Sequence, residues 1–155
     1  MTIQFKEYGN KHAPLMVFLH GGGVSGWMWD TQIGYFTHYH CLVPDLPSHG
    51  LSKKAGHFSI KSSALQIVDL IEDKALGKEV IVIGFSLGAQ VLVQILSMKP
   101  TLIDYAIINS ALVSPNPYVK RLLKPSIILS APLIKGNKDK GSEINYGWNY
   151  AAYIY

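Results

Sequence analysis

Two hydrophobic patterns take turns along this chain: apolar runs of strand length, and apolar positions three or four residues apart. Thr2 to Tyr8 alternates polar and apolar residues and predicts a half-exposed strand, closed by Gly9-Asn10. Pro14 to His20 is a nearly continuous apolar run ending at Gly21-Gly22-Gly23, the pattern of a buried strand entering a loop. A helix is expected over about Gly26 to Thr37, capped by Ser25, with Trp27, Trp29, Ile33 and Phe36 on its buried side.

Cys41 to Val43 predicts a third strand, and Pro44, Pro47 and Gly50 mark the loop after it. Ala64, Ile67, Val68 and Ile71 recur at helical spacing, with Ser62 or Ser63 near the start and Gly77 at the end. Glu79 to Gly84 is almost wholly β-branched and is the strongest strand signal. A helix over Leu87 to Met98 follows it directly, and Tyr105 to Leu112 reads as another buried strand. Strands alternating with helices predict an α/β fold, a mostly parallel sheet with helices on both faces. Beyond Val113 the pattern weakens: Pro115, Pro117, Pro125 and Pro132 interrupt it, and the tail is aromatic without a clear period.

Composition fits this picture, since 155 residues at 48% hydrophobic and 15% charged suit one domain with a real core. The net charge of +4 comes largely from Lys120, Arg121, Lys124, Lys135, Lys138 and Lys140. No recognition motif or interleaved aromatics accompany this run, so it reads as a solvated face, with no nucleic-acid partner expected. Cys41 is the single cysteine and sits in an apolar run, which excludes an intrachain disulfide and a thiolate metal cluster. No signal pattern opens the chain and no apolar stretch spans a bilayer, so a soluble cytoplasmic protein is the default expectation, with no membrane partner.

The candidate chemistry centres on Gly84-Phe85-Ser86-Leu87-Gly88. A serine hydroxyl becomes a nucleophile when it is exposed, oriented and deprotonated by a neighbour. A tight strand-to-helix turn exposes it, and glycines two residues to either side relieve the crowding that the turn creates. The helix start offers unpaired N–H groups, which suits the Leu87 amide to binding an oxyanion. The glycines after His20 allow close backbone approach, and one of their N–H groups is suited to be a second oxyanion donor. No G-x-G-x-x-G or phosphate-loop lysine is present, which disfavours a nucleotide-binding domain.

His20-Gly-Gly-Gly, Asp45-Leu-Pro-Ser-His49-Gly-Leu-Ser52 and Gly84-Phe-Ser-Leu-Gly88, in that order, resemble the α/β-hydrolase superfamily over about Thr2 to Ser114. The resemblance implies that Ser86 is the catalytic nucleophile and that Leu87 with Gly22 or Gly23 forms the oxyanion hole. It implies a small ester-type or amide-type substrate and no metal or organic cofactor. Asp45 to Ser52 is similar to the family's structural loop after its fourth strand, and His49 there is read as loop-organising. Ser48 stands where relatives usually carry glycine, which puts the local loop shape in question. Trp27 and Trp29 read as core residues in preference to an acyl pocket.

Family members follow the order Ser, acid, His, yet the six histidines at 12, 20, 38, 40, 49 and 57 all precede Ser86. The later acids are Asp104, Asp139 and Glu143; Asp104 lies at the wrong end of its strand, and Asn109 and Ser110 occupy the right end. The resemblance therefore implies residues 1–114 as the N-terminal part of the hydrolase core and 115–155 as the start of a lid with an irregular tail. The fold is expected to lack its C-terminal strands, leaving the last strand as an uncovered edge, and acyl transfer is expected to be impaired. The alternative is an inactive hydrolase-fold fragment or binding protein. Oligomeric state and exact substrate are not specified by the sequence.

Overall fold

The computed structural model describes residues 3–111. Expectations that fall beyond them, namely the lid-like segment from Pro115, its basic run, and the acids Asp139 and Glu143, lie outside the described residues. The elements are β1 (Phe5–Gly9), β2 (Leu15–Leu19), a 3-10 turn (Gly26–Trp29), the one-turn helix α1 (Asp30–Ile33) and β3 (His40–Pro44). After these come a second 3-10 turn (Gly50–Ser52), α2 (Ile60–Ala75), β4 (Val80–Phe85), α3 (Leu87–Met98) and β5 (Tyr105–Asn109). The sheet order is β1-β3-β2-β4-β5, with β1 antiparallel to β3 and every other neighbouring pair parallel.

Strand alternation sends successive side chains to opposite faces, and both faces are filled. Met16, Phe18, Cys41 and Val43 cluster with Ile33, Trp29 and Phe36 beneath the helical segment 26–33. Leu15, Val17, Leu19, Leu42, Val80 and Val82 are equally buried and, by alternation, belong to the other face. There α3 lies against β2, β4 and β5, and α2 packs on α3. Ala64, Ile67, Ile71, Ala89, Val91, Leu92 and Ile95 are the fully buried apolar residues of these two helices.

Three local expectations are corrected. The helix expected over 26–37 is a 3-10 turn followed by a single α turn, and Gly34 ends it. Packing accounts for the shortness: Trp29 and Phe36 both turn onto Phe18, with ring centroids 5.4 and 5.7 Å from it. Ser25 precedes that turn without a side-chain cap; its carbonyl accepts from the Met28 N–H at 3.1 Å. The cap of α2 is Ser59, with its Oγ accepting from Ser62 N–H at 3.0 Å, so Ser62 and Ser63 lie near the start of the helix but inside it.

The third correction concerns the buried strand read from the composition of 105–112: β5 is exposed along its whole length, in agreement with the separate expectation that the last strand is an uncovered edge. Tyr105, Ile107 and Ile108 are 60%, 53% and 45% exposed, although their apolar character had marked them as core. β5 is the edge of the described sheet, and it ends where Ser110 turns to a positive φ of 58°.

Candidate functional site

The chain visits β3 on one side of β2 and then crosses to β4 on the other, with Leu19 of β2 opposite Gly84 of β4. In parallel sheets, ligand crevices open at the carboxyl ends of strands where the winding reverses like this. The glycine loop leaves β2 and the Ser86 turn leaves β4 at that point.

Ser86 has φ 50° and ψ −106°, outside the common regions for a residue with a Cβ. The surroundings hold it there: its N–H donates to the Asn109 carbonyl at 2.8 Å, and its carbonyl accepts from Gln90 N–H at 3.1 Å. That second bond is the first rung of the α3 ladder, so the N–H groups of Leu87, Gly88 and Ala89 precede it. The flanking glycines are demanded by contact. A Cβ on Gly84 would sit 2.7 Å from the Gly88 carbonyl oxygen and 2.8 Å from the Ala89 Cα. A Cβ on Gly88 would sit 2.7 Å from the His20 carbonyl oxygen, so the serine turn is seated directly on the end of β2. Gly21 in turn lies against the Phe85 ring, 2.9 Å from where its own Cβ would be. The glycine loop and the serine turn are thus in mutual contact.

His20 is fully buried beneath this junction. Its Nε2 accepts from the Leu46 N–H at 2.9 Å, which leaves Nδ1 as the protonated nitrogen, donating to the Gly21 carbonyl at 2.7 Å. Burial pushes its pKa down to about 4, so the ring is neutral at physiological pH. Asp45 is also buried; one carboxylate oxygen accepts from Gly26 N–H at 2.7 Å and the other from Leu51 N–H at 2.8 Å. His49 packs on His20 and Phe58 at ring-centroid distances of 5.1 and 5.7 Å, and its Nδ1 bonds to the Pro47 carbonyl. Burial lowers its pKa as well.

Asp104 accepts from Val80 N–H at 2.7 Å, at the opposite end of β4 from Ser86, so it is a strand-pairing residue. Trp29 belongs to the core, whereas Trp27 is 44% exposed. Ser48 has a positive φ of 65° and keeps the loop shape despite its Cβ, with its N–H donating to the Ser52 carbonyl at 3.2 Å. Sequence reasoning placed Asp45 in a loop motif without its two backbone partners. The available signal was the pair of glycines at 26 and 50, whose absent Cβ atoms make room for that carboxylate.

Residues 16–151 match the Alpha/beta hydrolase family. The chain belongs to that family. It is 34% identical over 93 residues to an esterase of Mycobacterium tuberculosis, covering 59% of this chain and 30% of the relative. With ethanol acetyltransferase 1 of Wickerhamomyces anomalus it shares 31% identity over 145 residues, covering 86% of this chain and 36% of that protein. The crystal structure of a lipase-esterase related protein from Clostridium acetobutylicum superposes with a TM-score of 0.68 at 20% identity, covering 81% of this chain and 55% of that one. The chain therefore spans about a third of the length of these two curated relatives. No helix among the described residues is long and apolar enough to cross a membrane.

Proposed function

We propose that the site performs serine-dependent acyl transfer on a small ester-type or amide-type substrate, with Ser86 as nucleophile and the N–H groups of Leu87 and Gly22 as oxyanion donors. The observation that carries this reading is the conformation of Ser86, held at positive φ on a helix start and in contact with the glycine loop. Such strain persists where the surroundings over-determine it, and it marks functional turns. Gly22 is preferred to Gly23 for a geometric reason. No peptide bond in the described chain is cis, so the Gly22 N–H points opposite to the Gly21 carbonyl in their shared plane. That carbonyl is turned onto the buried His20 ring, which directs the Gly22 N–H away from the interior.

In the acylation step the Ser86 oxygen bonds to the substrate carbonyl carbon and its proton passes to a base. The bond to the alcohol or amine leaving group then breaks as that group takes up a proton. Water reverses the sequence to release the acid. His20 is not that base, because the backbone occupies both of its nitrogens. No histidine follows Ser86 in the 155 residues, so this chain is expected to acylate slowly. An esterase and an acetyltransferase among the relatives agree with acyl transfer as the reaction class.

Cleavage of p-nitrophenyl acetate by the full chain tests this. The expected rate is no more than about 10³–10⁴-fold over water, the level left by binding and oxyanion contacts alone, and it disappears in Ser86→Ala. A rate unchanged by Ser86→Ala overturns the nucleophile assignment. Turnover at ordinary enzyme rates that is lost in Ser86→Ala overturns the impairment and means that the chain contains its own base.

A further inference from the structure

The segment that carries Gly22 is tied down at both ends to the same short stretch after β3. At its entry, His20 accepts from the Leu46 N–H. At its exit, the Gly26 N–H donates to Asp45. The second Asp45 oxygen reaches past this segment to the Leu51 N–H, in the 3-10 turn that closes the following loop. One carboxylate thereby joins two loops that are 25 residues apart in the chain, and it does so through backbone groups only. Both loops are shaped around it: a Cβ on Gly26 would lie 3.1 Å from one carboxylate oxygen, and a Cβ on Gly50 would collide with the other.

We propose that Asp45 is a positioning residue for the oxyanion loop, a buried anion that fixes where residues 21–25 end and so holds the Gly22 amide against the Ser86 turn. The physical reason is the length of the loop. Five residues between two fixed points have little freedom, whereas the same five released at one end gain conformational entropy by sampling many arrangements. A buried carboxylate suits the task because each of its oxygens accepts an N–H strongly, and it has no donor to conflict with either. An amide in its place turns an N–H₂ towards one of the two backbone donors. This inference rests on the acyl-transfer reading only for the consequence of the positioning; the clamp itself is a property of the fold.

Amide hydrogen exchange on the full chain tests the clamp, and fluorophosphonate labelling of Ser86 tests its consequence. In the unmodified chain, Gly26 and Leu51 amides are expected to share one protection factor and one denaturant dependence, because a single release exposes both. If Leu51 stays protected through the opening that frees Gly26, the clamp is overturned, and this measurement needs no variant. In Asp45→Asn, exchange at Gly26 and Leu51 is expected to rise at least tenfold and the amide signals of residues 22–25 to shift. Val82 and Leu92 in the core should keep their protection; a uniform rise across all of these amides assigns Asp45 to general stability and overturns the positioning role. Labelling of Ser86 should slow at least tenfold in the same variant, and an unchanged rate likewise overturns that role. If the unmodified chain is not labelled at all, the acyl-transfer reading has failed, and the exchange data still decide the clamp.

Discussion

The two ends of the sheet each bury a histidine, and they use it in different ways. At the carboxyl ends of the strands, His20 is bonded to backbone alone, the Leu46 N–H and the Gly21 carbonyl. At the other end, His40 is buried between side chains: Glu7 lies 2.7 Å from Nε2 and Lys78 Nζ lies 2.9 Å from Nδ1. Lysine only donates, so Nδ1 accepts, and Nε2 carries the hydrogen towards Glu7. Lys78 also donates to the Lys11 carbonyl at 2.9 Å, so this network ties β1, β3 and the approach to β4 together. Charged side chains thus fix strand register where no substrate is expected. At the candidate site the clamping falls to backbone groups, one neutral imidazole and one carboxylate whose two oxygens are both engaged. An arrangement of that kind holds a loop in place through backbone N–H and carbonyl groups, with no lysine in the network.

The comparison breaks most visibly at Gly88. Adding a methyl group by Gly88→Ala places an atom against backbone of β2, which has no flexible end to yield. The variant is expected to lose on the order of 3 kcal/mol or more, read from urea denaturation followed by circular dichroism. A loss below about 1 kcal/mol shows that the serine turn is not seated on β2 as described.

Acid separates the two histidine environments. The folded-state pKa of His20 is lowered to about 4, so the unfolded chain takes up protons first and stability falls as pH drops from about 6.5 to about 4. Full expression of this linkage is on the order of 3 kcal/mol, and His49, lowered by the same cause, adds in the same direction. Glu7 has its pKa lowered mainly by its hydrogen bond to His40, so its contribution is intact above about 4.5 and is lost below that, as pH falls through its folded value. Glu7→Gln is therefore expected to leave the slope between pH 6.5 and 4.5 unchanged, whereas His20→Gln flattens it. Denaturation midpoints across that range provide the check, and a flat profile in the unmodified chain contradicts the neutral buried imidazole.

The smallest effect is a gain. Ser48 and Leu76 both have positive φ, 65° and 47°, and lie at opposite ends of the sheet. Replacing either by glycine relieves the crowding of its Cβ and is expected to stabilise the chain by at most about 1 kcal/mol. Ser48→Gly should gain less than Leu76→Gly, because Ser48 also gives up its Oγ bond to the Gly56 carbonyl at 3.2 Å. Thermal unfolding ranks the two, and a destabilised Ser48→Gly chain means that this bond outweighs the strain.

Much of the fold was legible because it rests on local patterns. The β-branched run at 79–84 gave a strand within a residue of the one observed, and the helical period through Ala64, Ile67, Val68 and Ile71 gave α2, which ends two residues before Gly77. Ser86 was legible for the same reason, since its turn is encoded in five consecutive residues. The length of the 26–33 helix was not, because Trp29 and Phe36 answer to Phe18, which lies on a different strand. Burial of β5 was misread because apolar composition gives a strand's character and not its neighbours, and β5 occupies the edge of the described sheet.

By itself, then, the sequence determined the alternation of strands and helices and the serine turn between two glycines, because hydrophobic period and turn chemistry act over neighbouring residues. Only the tertiary structure decided what Asp45 holds and how the buried His20 ring is anchored. Those outcomes depend on hydrogen bonds between segments 19 to 26 residues apart, whose partners are backbone groups that every residue except proline carries alike.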